Sequence, residues 1–336
     1  MSKATRMHDA DTSDEHGADW DSYWAGGERA GTFADGGPQD QALEDFWLDY
    51  FSALARADND QVRVLDVGCG SGAVTGFALA AGRDQQQQFR LSCVDQSAAA
   101  LSLVKQQYPD VQTLCSSAAE LAVTDGSFDA LVSQFGIEYA GVDAAGEAAR
   151  VLRSGGQLRL IMHKTGAAIY QECAANTRAL DTTLASGALD AFLSLLRCAA
   201  DLRVGLGSPP AFEAADRALA PRVKVLEKLL KEQGKDICGG SIFRLYADIA
   251  HMYGKIYQFD LGEVEEWAAK VGGELQRFRG RLQSMLDAAV DADELDEWMN
   301  AFGAAGLQMD PPQTLSMGES GETAAWVLSG IRQGSA

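Results

Sequence analysis

A strand that runs directly into a glycine-rich loop is the feature that most limits how this chain can fold. The apolar segment 62–67 leads into Gly68, Gly70 and Gly72, and a helical pattern begins at Ala73. Glycines at such a junction let a ligand approach the backbone and lie against the amino terminus of the following helix. The spacing alone leaves the ligand open, because it also fits the looser dinucleotide fingerprint.

Short apolar runs alternate with helical segments from residue 61 to residue 162. This alternation indicates a parallel sheet covered by helices on both faces. From about residue 166 to residue 292 almost every segment instead has the pattern of an amphipathic helix, and strand patterns return after residue 306. We expect an α/β domain that carries an all-helical insertion.

These patterns divide the chain into four parts. Residues 1–18 are polar and without periodicity, which predicts a mobile tail. Residues 19–57 carry two aromatic clusters at helical spacing. Residues 58–165 and 293–336 form the predicted α/β domain, and residues 166–292 form the helical insertion.

Composition and charge narrow the class of protein. Hydrophobic residues make up 46% and charged residues 23%, as in ordinary globular proteins. The formal net charge of −20 weighs against a nucleic-acid substrate, because phosphate binding needs clustered Lys and Arg. Apolar runs are too short to predict a membrane span, and the amino terminus has no secretory signal, so we expect a cytoplasmic protein. The scattered cysteines and histidines predict neither a metal site nor disulfides.

Asp66 distinguishes between ligands of the glycine loop. Its carboxylate, two residues before the first glycine, would repel a pyrophosphate but suits an ammonium group. With the glycines it forms a segment that resembles the first motif of the class I S-adenosylmethionine-dependent methyltransferases. The resemblance covers about residues 62–161 and returns at about 293–331. It implies a doubly wound, seven-stranded, Rossmann-like sheet, S-adenosylmethionine as cofactor, and a helical cap made by the insertion.

The resemblance also implies which residues hold the cofactor. The glycine loop would pass under the methionine portion, with Asp66 near its amino group, and Asp95 would hold both ribose hydroxyls. The alternative for Asp95 is a helix cap. At the adenine this chain has Ser117 and Ala118 where the family often has an Asp, which is a departure from the family pattern. The predicted cofactor-binding residues are Asp66, Gly68, Cys69, Gly70, Gly72, Asp95, Gln96, Ser117, Ala118, Gln134, Tyr23 and Trp24.

Four polar residues follow the fourth and fifth strands, where a parallel-sheet enzyme places its ligand. Gln134, Glu138 and Tyr139 come after the fourth strand, and His163 ends the fifth. We take all four as candidate catalytic residues, with His163 as a general base or substrate ligand. The alternatives are a solvated Glu138, a core Tyr139 and a histidine hydrogen-bonded for structure alone.

Aromatic residues supply further candidates for the substrate site. Trp20, Tyr23 and Trp24 fit a helix that closes over the cofactor, or one that only packs on the sheet. In the insertion, the resemblance implies a cap over the substrate pocket, although each residue there is also consistent with ordinary helix surface or core. The predicted substrate contacts are Trp20, Tyr139, His163, Arg244, His251, Tyr253 and Tyr257.

The predicted activity is methyl transfer from S-adenosylmethionine to an O, N or S nucleophile of a small molecule. Alternatives are a tRNA or protein acceptor, a nicotinamide-dependent oxidoreductase, and a cofactor-binding protein without activity. The expected partners are a small-molecule substrate and neither nucleic acid nor membrane. A monomer and a homodimer both remain open.

Overall fold

A computed structural model describes residues 20–21, 23–25, 38–55, 61–86, 88–318 and 321–334. The predicted mobile tail, residues 1–18, lies outside these residues. The described chain divides into two compact units, one containing residues up to Gln171 and from Ser284 onward, and the other spanning Glu172–Gln283.

The first unit is built on an eight-stranded sheet. The strands are β1 (Val62–Val67), β2 (Phe89–Asp95), β3 (Gln112–Cys115), β4 (Phe128–Gln134), β5 (Leu152–His163), β6 (Leu307–Met309), β7 (Gln313–Met317) and β8 (Glu322–Arg332). Their order in the sheet is β3-β2-β1-β4-β5-β8-β6, with β7 also paired to β8. Strands β1 to β5 are parallel, and β8 runs antiparallel to β5. The predicted α/β alternation is therefore confirmed.

Helices flank this sheet because its strands are apolar on both faces. Leu65, Leu131 and Leu160 are completely buried, which is typical of parallel strands covered on both sides. Trp47, on the helix that precedes β1, is also completely buried. The helices of this unit are α1 (Pro38–Ala55), α2 (Ala73–Gln85), α3 (Ala98–Gln107), α4 (Ala144–Val151) and α10 (Ala292–Ala304).

The register of β1 brings the predicted site residues to one edge of the sheet. Asp66 is aligned with Cys93 of β2 and with Val132 of β4. The carboxyl ends of these strands, and the loops that follow them, consequently meet at one edge. His163 ends β5 at the same edge, two residues beyond the pair formed by Gln134 and Ile161.

Residues 307–317, where strand patterns return in the sequence, form two strands in the structure. β6 and β7 both pair with β8, at its end and its beginning respectively. Pro311 and Pro312 lie between them and have no N–H groups for a sheet ladder. The sheet thus has eight strands by count, while β6 and β7 together take the place of one strand along β8.

The second unit is helical among its described residues. It contains the helices α6 (Ala188–Arg203), α7 (Pro209–Gln233) and α8 (Ser241–Tyr253). The helix α5 (Ala168–Ser186) begins in the first unit and continues into the second, and α9 (Leu261–Ala288) begins in the second and ends in the first. Phe192, Leu196 and Leu226 are almost completely buried within it. This helical stretch agrees with the helical pattern predicted for residues 166–292.

One apolar stretch corrects the expectation that no segment is long enough for a membrane span. Ala168–Arg203 has a window of mean hydropathy 1.3, so it passes a test of length and composition. The structure divides this stretch into α5 and α6 at Gly187, which has a φ of +62°. Core helices pass the same test, so the observation is weak evidence for a membrane span.

Candidate active site at the carboxyl edge of the sheet

The glycine loop is a tight turn held against the end of β2. Gly68 and Cys69 both donate their N–H groups to the carbonyl oxygen of Val94, at 2.8 and 3.1 Å. Gly68, Gly70 and Gly72 have φ values of +65°, +51° and +87°, which side chains rarely tolerate. Their spacing in the sequence is therefore required by the shape of the turn.

Gly68 also lies against the loop that follows β4. A Cβ at this position would be 2.6 Å from the Cα of Gly136, and a Cβ on Gly136 would be 2.8 Å from the Cα of Gly68. Two glycine backbones therefore touch where the β1 and β4 loops meet. Gly136 was not among the predicted site residues, although a glycine two positions after a buried strand is a signal for close backbone approach.

Asp66 is buried beneath this loop, with 1% of its surface exposed. Its Oδ2 accepts hydrogen bonds from the N–H and the Oγ1 of Thr75, at 3.1 and 2.7 Å. Its Oδ1 has no partner among the described residues. Burial raises the pKa of Asp66 to about 7, and the Thr75 hydrogen bonds limit the rise. The carboxylate thus joins β1 to α2, and its predicted contact with the cofactor ammonium stays a prediction.

Asp95 links the glycine loop to the start of α3. Its Oδ2 accepts from the Gly70 N–H at 2.8 Å, and its Oδ1 accepts from the Ser97 N–H at 2.9 Å. Burial raises the pKa of Asp95, and these backbone hydrogen bonds limit the rise. The amino-terminal cap of α3 is Ser97, whose Oγ accepts from the Ala100 N–H. Asp95 is therefore not the helix cap, and each of its oxygens keeps capacity for another donor.

Residues 20–21 and 23–25 lie at the same edge. Asp21 Oδ1 accepts from Ser97 Oγ at 2.7 Å and from the Ala99 N–H at 3.2 Å. The Trp24 ring touches Gly70 so closely that a Cβ there would be 2.8 Å from Trp24 Cζ2. Trp20 donates from its indole Nε1 to Ser284 Oγ at 3.1 Å. Sequence reasoning missed Asp21, which has no pattern that marks it apart from other acidic residues near the amino terminus.

The aromatic residues of this segment contact one another and reach the β4 loop. The Trp20 ring lies 6.4 Å from that of Trp24, 5.8 Å from that of Tyr23 and 5.9 Å from that of Tyr139, measured between centroids. The predicted trio therefore lies together at the glycine loop. Whether it closes over a bound cofactor stays a prediction.

Glu138 and His163 form a buried pair. Glu138 Oε1 accepts from the His163 backbone N–H at 2.9 Å and lies 2.8 Å from the His163 Nδ1. Glu138 is 5% exposed and His163 is 4% exposed. The Tyr139 ring is 6.0 Å from the imidazole, and the Phe135 ring is 4.4 Å from it. The alternative of a solvated Glu138 is therefore wrong.

Several other predicted cofactor contacts are engaged within the protein. Gln134 Oε1 accepts from the Trp47 indole at 2.7 Å, so this side chain anchors α1 to the end of β4. Ser117 Oγ accepts from the Ala119 N–H at 3.2 Å, while Ala118 packs against the core. Cys69 is buried and Gln96 is exposed. None of these positions conflicts with the predicted roles, which stay predictions.

The candidate substrate residues of the helical unit lie on or near α8. Arg244 donates to the carbonyl oxygen of Gly239 at 3.0 Å, and Tyr253 donates to Asp216 Oδ1 at 2.8 Å. The Tyr257 ring stacks on Phe212 at 6.1 Å, and the His251 ring lies 6.1 Å from that of Phe259. Tyr253 and Tyr257 are large and exposed, at 46% and 52%. Their contact with substrate stays a prediction.

The residues at the glycine loop fit S-adenosylmethionine. The loop brings the backbone of Gly70 to a partly buried carboxylate at Asp95, and a Cβ at Gly70 would collide with the Trp24 ring. The carboxyl groups of Asp66 and Asp95 offer acceptor oxygens where a pyrophosphate would need donors, which suits a cofactor that carries ribose hydroxyls and an ammonium group. Among the described residues no three His, Cys, Asp or Glu side chains gather as a metal-binding group.

Comparison with known protein families identifies a matching domain in this chain. Residues 65–160 match the family described as a methyltransferase domain. No curated protein sequence matches this chain.

Among solved structures, the chain is similar to the methyltransferase in the complex with the Haloferax volcanii Trm112 methyltransferase activator. The TM-score is 0.43 at 15% identity, over 95% of this chain and 98% of that one. It is also similar to a Bacillus halodurans methyltransferase, with a TM-score of 0.29 at 22% identity, over 35% of this chain and 51% of that one. A third similar structure is Haemonchus contortus phosphoethanolamine N-methyltransferase 1 in complex with phosphoethanolamine and S-adenosylhomocysteine. Its TM-score is 0.35 at 17% identity, over 46% of this chain and 33% of that one.

These structural likenesses are too distant to carry an argument about substrate. The matched family covers β1 through β5, which includes the glycine loop, Asp95 and the residues after β4. The motif at Asp66–Gly72 lies within the same match. Residues 65–160 therefore form a methyltransferase domain, and this match supports a class I S-adenosylmethionine-dependent methyltransferase.

Proposed function

We propose that this protein transfers the methyl group of S-adenosylmethionine to an O, N or S nucleophile of a small molecule. The observation that carries the proposal is the hydrogen bond from Gly70 N–H to Asp95, because it joins the loop and the carboxylate into one binding surface. Asp95 would hold the ribose hydroxyls, and the backbone of Gly68–Gly72 would lie under the methionine portion. S-adenosylmethionine supplies a methyl group bonded to a positively charged sulfur, and a nucleophile that attacks the methyl carbon displaces the sulfur.

The chain's own residues mainly position the reactants and exclude water. Trp24 lies on the glycine loop, and Asp21 holds its segment to α3, so this segment would shield the bound cofactor. Aromatic faces also attract a sulfonium cation.

A small-molecule acceptor is favoured over tRNA by charge. The net charge of −20 disfavours a phosphate-rich substrate, and the acidic residues Asp21, Asp66 and Asp95 lie at the proposed site. We further propose that the helical unit holds the substrate, because the chain leaves the sheet just after His163, at the edge that carries the glycine loop. A nicotinamide cofactor is disfavoured by Asp66.

Isothermal calorimetry with S-adenosylmethionine, S-adenosylhomocysteine and NAD tests the cofactor. We expect binding of both adenosyl ligands and none of NAD. Asp95→Ala should weaken adenosyl binding by about 1–3 kcal/mol, the range for loss of a hydrogen-bonded charged group. Asp125→Ala, at an exposed carboxylate paired with Arg150, is the control and should bind normally. NAD binding, or no adenosyl binding by the wild-type protein, would overturn the proposal.

A further inference from the structure

The buried pair of Glu138 and His163 has a proton arrangement that its hydrogen bonds define. Glu138 Oε1 accepts the His163 backbone N–H, which can only donate, and the same oxygen lies 2.8 Å from Nδ1. Since Oε1 already accepts one hydrogen bond and has capacity for a second, the contact is filled when Nδ1 carries the hydrogen and donates it to Oε1. In a neutral imidazole the other nitrogen, Nε2, is then a bare acceptor.

Two atoms of the pair lack partners. Glu138 Oε2 and His163 Nε2 are buried and have no hydrogen-bond partner among the residues that the structure describes. A buried polar atom without a partner costs free energy, so such atoms are completed by ordered water or by a ligand. In the arrangement above Nε2 is an acceptor, and Oε2 is an acceptor when the carboxyl group is ionised. The group that completes them must therefore bring hydrogen, as a hydroxyl or an amine does, and a carboxylate or phosphate oxygen would be repelled.

The pair also lies beside the cofactor loop. Phe135, whose ring is 4.4 Å from His163, is followed in the chain by Gly136, which touches Gly68. On the other side, the Tyr139 ring lies between His163 and Trp20, at about 6 Å from each. The pair is therefore linked to the backbone of the glycine loop through Phe135 and Gly136, and it is flanked by the aromatic rings of Phe135 and Tyr139.

We propose that the methyl acceptor is a hydroxyl or amine group whose proton is taken by His163 Nε2, with Glu138 as the positioning residue. The proposal rests on the proposed function and narrows its acceptor. A lone pair on the acceptor oxygen or nitrogen forms the new bond to the methyl carbon as the carbon–sulfur bond breaks. Sulfur keeps that electron pair and becomes neutral, and the acceptor's proton passes to Nε2. Glu138 stabilises the resulting imidazolium and holds the ring orientation.

The protonation of His163 can be measured without turnover. The chain has four histidines, so long-range nitrogen–proton NMR spectra of the full-length protein, labelled with ¹⁵N-histidine, contain few signals. The imidazole signals of His163 are identified as those that disappear in His163→Asn. We expect Nδ1 to be protonated and Nε2 bare in the wild-type protein, with this preference lost in Glu138→Ala. A protonated Nε2 in the wild-type protein, as the other tautomer or as imidazolium, would overturn the proposal.

Substitutions of His163 test whether Nε2 accepts the proton, as distinct from a purely structural role of the side chain. In His163→Asn the amide nitrogen can still donate to Glu138, but no atom replaces Nε2. With labelled S-adenosylmethionine and a metabolite extract, we expect turnover of this variant to fall at least 100-fold, while S-adenosylhomocysteine affinity stays within about threefold. Added imidazole should partly restore the turnover of His163→Ala. Lys164→Met is the matched control, because its Nζ lies over the Trp326 ring at 3.6 Å, and it should keep full turnover.

The outcomes distinguish the two proposals. Full turnover in His163→Asn would overturn the proton-acceptor role, and so would a labelled product methylated on sulfur or carbon. Loss of adenosyl binding in the wild-type protein would instead overturn the proposed function. Where the extract contains no acceptor for the wild-type protein, the NMR measurement still decides the state of Nε2.

Discussion

Asp66 shows how one buried residue makes the protein sensitive to pH. Its carboxyl group has 1% of its surface exposed, and no cation lies among its hydrogen-bond partners in the described chain. Removing it from water disfavours the charged form, which raises its pKa from 3.8 to about 7. The folded protein therefore binds a proton at this site across a range where the unfolded chain has released it.

We expect the contribution of Asp66 to stability to be largest below about pH 4 and to be lost as the pH rises through about 7. The loss is at most about 4 kcal/mol. Asp66→Asn keeps an oxygen for Thr75 and cannot ionise, so its free energy of unfolding should not fall in this way. Urea unfolding of both proteins at pH 5 and pH 8 measures the difference. An equal change with pH in both would show that Asp66 does not titrate on folding.

Individual site residues could be predicted, but their pairings could not. The glycines and Asp95 stand out because strand ends in parallel sheets carry ligand sites. The sequence also marked Glu138 and His163 separately, yet their hydrogen bond joins residues that are brought together only by the β4–β5 pairing. Gln134 was predicted to line a pocket, and its bond to Trp47 depends on where α1 packs.

At the scale of elements, the contact of the β1 and β4 loops decides the shape of the cofactor site. Gly136 has a φ of −135°, which is outside the left-handed region that favours glycine. A Cβ there would nevertheless lie 2.8 Å from both the Cα and the carbonyl oxygen of Gly68. The glycine loop would have to move, because backbone atoms cannot rotate away as a flexible side chain can.

Gly136→Ala should therefore weaken S-adenosylhomocysteine binding by at least about tenfold, or 1.4 kcal/mol, in calorimetry. Gly146→Ala is a matched control, because a Cβ at this helical position meets nothing within 4 Å. The control should bind normally and be slightly more stable. If Gly136→Ala binds as tightly as the wild-type protein, the two loops are not in functional contact.

The elements themselves were largely predictable from the alternation of apolar runs and turns. The apolar run at residues 62–67 and the helical pattern at residues 98–107 have the same bounds as β1 and α3. The apolar run at residues 156–162 predicts a strand, but β5 begins four residues earlier, at Leu152, because Gly155 and Gly156 lie inside the strand. Gly155 has a φ of +74°, and the pairing with β4 shifts register here. Glycines in a sequence are typical both of a turn and of a strand with a bulge, so the sequence pattern did not distinguish the two.

At the scale of the whole molecule, two units suggest a division between cofactor and substrate. The α/β unit contains the complete glycine loop, and the helical unit spans Glu172–Gln283. Within the helical unit, two tyrosines of α8 donate to carboxylates of α7. Tyr253 donates to Asp216 and Tyr246 donates to Glu227, at 2.8 and 3.0 Å. The two positions have similar bonds, but only Tyr253 is a predicted substrate contact.

We expect Tyr253→Ala to lower kcat or to raise the KM for the substrate, while the cofactor affinity stays within about threefold of the wild-type value. Tyr246→Ala loses a comparable hydrogen bond and should keep normal kinetics. Rate measurements with labelled cofactor, paired with calorimetry, compare the two variants. Equal effects in both would assign the loss to the stability of α8, and lost cofactor affinity would mean that the helical unit also holds the cofactor.

The interruption of the outer strand by Pro311 and Pro312 bears on how the protein behaves at high concentration. The edge of a sheet can add a strand from another molecule when its N–H and C=O groups form an unbroken row. Both prolines are exposed at this edge, where they remove two consecutive donors between β6 and β7. A strand from a second copy could pair with only a few residues before losing register. This edge is thus protected against intermolecular β-sheet growth and the aggregation that follows from it.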